Sequence, residues 1–228
     1  MFGWLRRAPS RRAEQQREMA SALADYPIYD PPHRQDRNWQ RRPVGESYDE
    51  EDLRLMREFN ARGRENFSYF MNHRDERLTA LGTFLAKLGV IMDLDETGLA
   101  SVSAWLPGNC GALVADPREE ETRQVFFQHL EPWTQQRRGL NVIFDLGVFF
   151  GECVIKRNQR LHWTCWPGAS AIHTGHAIAG FKKKRHWLDP MGNIYYDCVN
   201  DENAIRRRQV GVVRADTLVG KVRDYSTR

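Results

Sequence analysis

The sequence predicts an α+β protein, with an N-terminal helical half packed on a small, mostly antiparallel C-terminal sheet and one buried helix at the centre. Three observations carry this prediction. From Asp49 onward the chain shows a succession of helical patterns. The stretch Leu140–Ile155 is apolar on nearly every face of a 3.6-residue period, the mark of a helix buried on most sides. Beyond it the texture changes to short alternating segments rich in aromatic and β-branched residues, which suit strands.

Residues 1–48 read as a partly disordered, basic and Pro-rich arm, and residues 49–228 as a single α+β domain. Within the arm, RAEQQREMASALADY has helical patterning from Arg12 to Ala24, after which Pro27, Pro31, Pro32 and Pro43 disfavour regular structure. Tyr26, Tyr29 and Trp39 imply that this arm lies on the domain. A first helix of the domain starts in the acids of DEEDLRLMREF, which suit a helix N-terminus. Its stripe is Leu53, Met56, Phe59, Phe67 and Phe70, with Gly63 as a weak point. A second is expected from Asp75 to Leu88, closed by Gly89. A third runs from Glu96 to Leu106 after the N-cap Asp95 and ends at Pro107. PGNCGALVADP then reads as a loop, and Arg118–Leu130 as a fourth helix.

The central helix carries Asp145 and Glu152, seven residues apart on nearly the same face, and Gly147 and Gly151, one turn apart. Glycine inside a helix costs about 0.5–1 kcal/mol relative to alanine. The pair therefore implies close approach of a neighbouring helix or sheet. Two carboxylates about 10 Å apart along one helix face are too far apart to share a proton. After this helix, Leu161–Trp166, HAIAGF and IYYDCV are expected as strands, with DPMGN (Asp189–Asn193) as a turn. DENAIRRR is a short helix and VGVV a last strand.

Composition limits the function classes. The 228 residues are 41% hydrophobic and 28% charged, enough apolar content for a sizeable core beneath a very polar surface. The mean hydropathy is −0.66 and the pI about 9.0. No run reaches the roughly 18 apolar residues of a membrane span. The N-terminal MFGWLRRAPSRR is too short in apolar length for a secretory core, so a cytoplasmic location is the expectation. Cys110, Cys153, Cys165 and Cys198 form no C-x-x-C pair and are expected as reduced thiols. The net charge of +4 is concentrated in local clusters, notably Lys182–Arg185 and Arg206–Arg208. Phosphate-binding and nucleophile-elbow glycine motifs are absent, and no cofactor or metal is called for.

The residues that could carry chemistry are few. Glu152 in its apolar setting must be paired, protonated or at a cleft. With His173 or His176, from the local His173-Thr174-Gly175-His176 cluster, it forms the candidate catalytic set. Lys182, Lys183, Lys184 and Arg185 beside Trp187 form a basic, aromatic stretch able to meet nucleic-acid phosphates.

DLGVFFGECVIKR followed by LHWTCW, with RLTALGTFLAKLG before them, resembles small uncharacterised bacterial domains, some of them immunity proteins encoded beside toxins. The likeness covers Asp145–Trp166. It implies that Gly147, Gly151, Glu152 and Trp163 define the fold and are not catalytic. The basic pI departs from the acidic character common among immunity proteins that block nucleases.

The function expected first is therefore that of a non-catalytic bacterial protein that binds another protein, with neutralisation of a cognate toxin as its finer form. The binding residues expected are Tyr26, Tyr29, Trp39, Arg41, Arg42, Trp166, Lys182, Lys183, Lys184, Arg185 and Trp187, since Tyr, Trp and Arg dominate binding hot spots. An enzyme using Glu152 with His173 or His176 is the first alternative. Nucleic-acid binding through Lys182–Arg185 is the second.

Overall fold

The computed structural model describes residues 11–34, 49–114, 116–165, 176–183, 186–209 and 214–228. Among these the chain forms helices α1 (Arg11–Leu23), α2 (Glu50–Lys87), α3 (Glu96–Leu113) and α4 (Glu120–Gln128), then a short 3₁₀ turn at Gln135–Arg137. The central helix α5 (Gly139–Arg157) follows, then strands β1 (His162–Cys165) and β2 (His176–Ala179), and helices α6 (Pro190–Arg206) and α7 (Thr217–Thr227). The class is α+β. No helix among the described residues is long and apolar enough to cross a membrane.

Helix α5 is the spine. Every residue from Gly139 to Gly151 is buried, and α2, α3, α6 and α7 all pack on it. Its glycines explain how so many neighbours fit. A Cβ on Gly147 would stand 2.6 Å from the Met191 Cα at the start of α6. One on Gly151 would stand 2.5 Å from the Trp163 ring of β1. One glycine thus admits a helix backbone and the other an indole.

Strands β1 and β2 pair antiparallel, Trp163 opposite Ile178, and Leu188 adds a short bridge to Ile178. The turn between them and Leu188 uses Gly180 at φ +100°, where a Cβ would strike the Arg160 carbonyl.

Three expectations need correction. The two helices expected across residues 49–88 are one, α2, because no glycine or proline interrupts the chain where they were divided, near Asp75, and the Gly63 weak point costs only propensity. Pro107 does not end α3, and the first seven residues of the segment expected as a loop, Pro107–Leu113, are its last two turns. Leu106, Cys110 and Leu113 are buried there, so tertiary packing offsets the roughly 3 kcal/mol of an internal proline. IYYDCV is helical and DPMGN is its start, not a turn. Asp189 accepts from the Gly192 amide at 2.9 Å, Pro190 occupies the first turn, and Ile194 and Cys198 share the buried face. As Tyr26 and Tyr29 implied, residues 11–34 lie on the domain, and Met19, Leu23, Tyr26 and Tyr29 are all core residues. VGVV (210–213) lies outside the described residues.

Candidate functional site

The carboxylates of α5 meet two arginines of α2. Asp145 is fully buried and accepts two bonds from Arg77, Nε at 2.9 Å and Nη2 at 2.6 Å. The Tyr26 hydroxyl donates to it at 2.5 Å. Arg77 reaches further and donates to the Pro27 carbonyl at 2.9 Å. Seven residues on, Glu152 accepts from the Trp163 indole at 2.7 Å and pairs with Arg74 at 3.1 Å. Arg74 lies N-terminal to Arg77 while Glu152 lies C-terminal to Asp145, so α2 and α5 run in opposite directions. Burial pushes the Asp145 carboxyl up to about 6, against the pull of Arg77. It is therefore charged at neutral pH and held by three donors.

These groups clamp the chain's own N-terminal segment. The Tyr29 amide donates to Asn141 Oδ1 at 2.7 Å, and Asn141 in turn donates to the Trp133 and Arg138 carbonyls. The Tyr29 ring stacks on Phe144 at 4.3 Å, and its hydroxyl lies 3.0 Å from His176 Nε2. His129 closes the cluster. It ends α4 in a left-handed conformation, φ 47°, and packs between Trp133 and Tyr29 at only 3% exposure. Neither of its ring nitrogens has a hydrogen-bond partner among the described residues, and Nε2 stands 3.9 Å from Asp30 Oδ1. Burial, aided by Arg34 and opposed by Asp30, holds His129 down at about 4, so it is neutral at pH 7.

Several expected site residues are thus relocated. Tyr26 and Tyr29 are buried at 5% and 1% exposure and leave no face for a partner, because both rings fill the core. Glu152 and His176 are not brought together. The Trp163 and Phe70 rings stand between them, Trp163 on Phe70 at 5.0 Å and Phe70 stacked on His176 at 4.4 Å. Lys182 and Lys183 are exposed and Trp187 is half-buried. His173, Trp39, Arg41, Arg42, Trp166, Lys184 and Arg185 lie outside the described residues.

Two surface features escaped the sequence reading. One is a depression of about 260 Å³ between α6 and α7, lined by Asn193, Tyr196, Asp197, Asn200 and Lys221. Its central charges neutralise each other, Lys221 bonding Asp197 at 2.5 Å. The other is the N-terminal half of α2. No residue from Glu50 to Tyr69 is buried, whereas Phe70, Arg77, Leu81, Phe84 and Leu85 are. Leu53 is 44% and Leu55 39% exposed. The signal was present in the apolar stripe, which continues past the last residues α5 can cover.

This more exposed half is nevertheless a well-made helix, tied to the N-terminal segment at its inner end, where Asn66 bonds the His33 backbone and Phe67 and Tyr69 pack against the core. Asp49 accepts from the Asp52 amide and Asp52 from the Asp49 amide, a reciprocal cap. Arg54 bridges Glu51 and Glu58, one turn either side. Its continuity with the docked half removes the nucleation cost. Comparison of the chain with family models, with curated proteins and with solved structures finds no match.

Proposed function

We propose that this chain acts by binding another protein, and that the N-terminal half of α2 presents the surface. The observation that carries the reading is the exposure of Leu53 and Leu55 on a capped, salt-bridged helix that leaves the core. Exposed large aliphatic side chains on an ordered helix are what a helix-recognising interface uses. The buried polar groups support the same reading, because Asp145, Arg77 and Glu152 are engaged in holding the fold together. The likeness of Asp145–Trp166 to bacterial immunity domains supplies a finer version, in which the partner is a toxin encoded nearby. The same likeness implies framework roles for Gly147, Gly151, Glu152 and Trp163, a reading supported by the close packing at both glycines and by the Glu152–Trp163 hydrogen bond.

The test is co-expression of the full chain with the product of the adjacent gene, followed by co-purification. The expected result is a complex that survives gel filtration and is lost in the Leu53→Glu, Leu55→Glu double variant. A complex that the double variant retains, or no complex at all, overturns the proposal.

A further inference from the structure

The N-terminal segment is held between α2 and α5 the way a groove holds a peptide. Residues 26–34 take no regular secondary structure, and only some of their side chains enter the body. Tyr26, Tyr29 and Pro31 are buried, whereas Pro27, Ile28, Asp30 and Pro32 are exposed.

Two asparagines read the main chain. Asn141 of α5 accepts from the Tyr29 amide at 2.7 Å. Asn66 of α2 accepts from the His33 amide at 3.0 Å and donates to the His33 carbonyl at 2.9 Å. Arg77 adds a bond to the Pro27 carbonyl. Main-chain contacts of this kind accept extended backbone of any sequence, and side-chain pockets supply the specificity. Here the pockets take tyrosine. Tyr26 lies edge-on to Phe84 at 5.2 Å and donates to Asp145. Tyr29 stacks on Phe144 and sets its hydroxyl beside His176.

The groove fits this occupant imperfectly. Both ring nitrogens of His129 and Nε of Arg138 are buried without a hydrogen-bond partner among the described residues. Both residues face the segment. His129 Nε2 stops 3.9 Å from Asp30, which bonds Arg34 at 2.7 Å instead. Arg138 reaches the Leu23 carbonyl through Nη1, at 3.4 Å. Polar groups buried without partners disfavour the closed state and are relieved when water reaches them. The contact between segment and groove therefore opens at lower cost than the core beneath it.

The same features select the ligand. Residues 35–48 span up to about 50 Å when extended, against about 25 Å of helix from Asp49 to Asn66, so the tethered segment reaches its own groove. The segment of a second copy would offer identical contacts without that tether, and loses to the higher local concentration of the first. A foreign segment can add what this one lacks, an acceptor for His129 and Arg138.

We infer that the groove between α2 and α5 is a peptide-binding site, closed in this structure by residues 26–34, and that its ligand is an extended segment of a partner protein with two tyrosines three residues apart, Tyr-x-x-Tyr. This site is separate from the face at Leu53 and Leu55 and stands or falls independently of it.

Fluorescence anisotropy of a labelled peptide with the sequence of residues 24–34, titrated with the full chain, measures the site. Tyr29→Ala weakens the tethered competitor strongly, and Tyr29→Phe removes only its hydroxyl. The expected result is saturable binding at least tenfold tighter to Tyr29→Ala than to wild type, with Tyr29→Phe between them. Replacing both peptide tyrosines by alanine should abolish it. Circular dichroism checks that each chain is folded; where Tyr29→Ala is not, Tyr29→Phe against wild type decides alone. No saturable binding to a folded variant, equal affinity for all chains, or binding that the alanine peptide reproduces overturns the inference. A mixed dimer of wild-type and Tyr29→Ala chains, formed without peptide, would make a second copy the donor and overturns it too.

Discussion

The two halves of α2 share one helix and one stripe but live in different environments. From Phe70 to Lys87 the stripe is covered by α5, by β1 and by the N-terminal segment, and even its arginine, Arg77, is buried. From Glu50 to Tyr69 no residue is buried, and the polar contacts are exposed pairs, local for Arg54 with Glu51 and Glu58 and reaching the N-terminal segment for Glu65 with His33. The same periodicity therefore specifies a core in one half and a surface in the other. What separates them is the reach of α5, which leaves α2 near the level of Phe70. Substitutions in the second half should be read in stability, and those in the first half in association.

The largest expected effect lies in the buried half. Asp145→Leu leaves the Arg77 guanidinium buried without its carboxylate, which costs about 3–5 kcal/mol when one member of a buried pair is removed. Arg77→Met should cost a similar amount by stranding Asp145. Combining both removes two buried charges together and should recover most of the loss, leaving the cost of the Tyr26 hydroxyl without its acceptor, about 1 kcal/mol. Denaturant melts of the two single variants and the double variant form the cycle. Additive losses would show that the pair is not coupled and would break the contrast between the halves.

The next effect depends on pH and concerns the segment held against the buried half. His129 has a folded pKa of about 4, below its ordinary 6.5, because burial disfavours the cation. A depressed histidine contributes its full stability above pH 6.5 and loses it as pH falls toward 4, where the unfolded chain binds a proton that the fold resists. A shift of this size corresponds to about 3 kcal/mol across that window. Asp145 acts with the opposite sign. Its folded pKa of about 6 lies above the ordinary carboxylate value, so acidification through 6 relieves the cost of its buried charge. The clean readout is therefore the difference between His129→Asn and wild type. Asn tolerates the left-handed backbone at φ 47° and does not titrate. The variant's stability relative to wild type should rise steadily between pH 6.5 and 4. Parallel pH profiles for the two proteins would remove His129 from the account.

How much of this was legible in the sequence follows from which signals are local. The central helix was readable because Leu140–Ile155 is apolar all round, and its glycines correctly implied close approach of another element. The α2 stripe was readable too, but a helical stripe does not say which of its turns another helix will reach. Pro107 and IYYDCV misled for a common reason: in both, burial against α5 and its neighbours overrode a local preference. Asp189-Pro190 is equally good as a turn and as an N-cap followed by a first-turn proline, and only the packing of Ile194 and Cys198 decides. Tyr26 and Tyr29 have the composition of binding residues, yet Asp145 and Asn141, more than a hundred residues away, claim them for the core. His129 carried no sequence signal at all, since nothing local announces that Trp133 and Tyr29 will enclose it.

The smallest effects come from two glycines that the sequence treats alike. Gly147 and Gly63 both sit inside helices and both forgo the propensity of alanine. Gly147→Ala drives a methyl to 2.6 Å from the Met191 Cα, and backbone cannot swing aside, so α5 and α6 must separate. Overpacking of this kind costs about 1–3 kcal/mol, more than the helix propensity gained. Gly63→Ala meets no atom within 4 Å and should gain instead, by up to about 1 kcal/mol at most. That gain appears in the global melt only if the first half of α2 unfolds together with the body. If it frays independently, the midpoint stays fixed while amide exchange around Arg62–Arg64 slows. Either outcome separates the two glycines by sign. A Gly63→Ala variant as destabilised as Gly147→Ala would mean that the first half of α2 is packed like the second, and the distinction on which the binding surface rests would be lost.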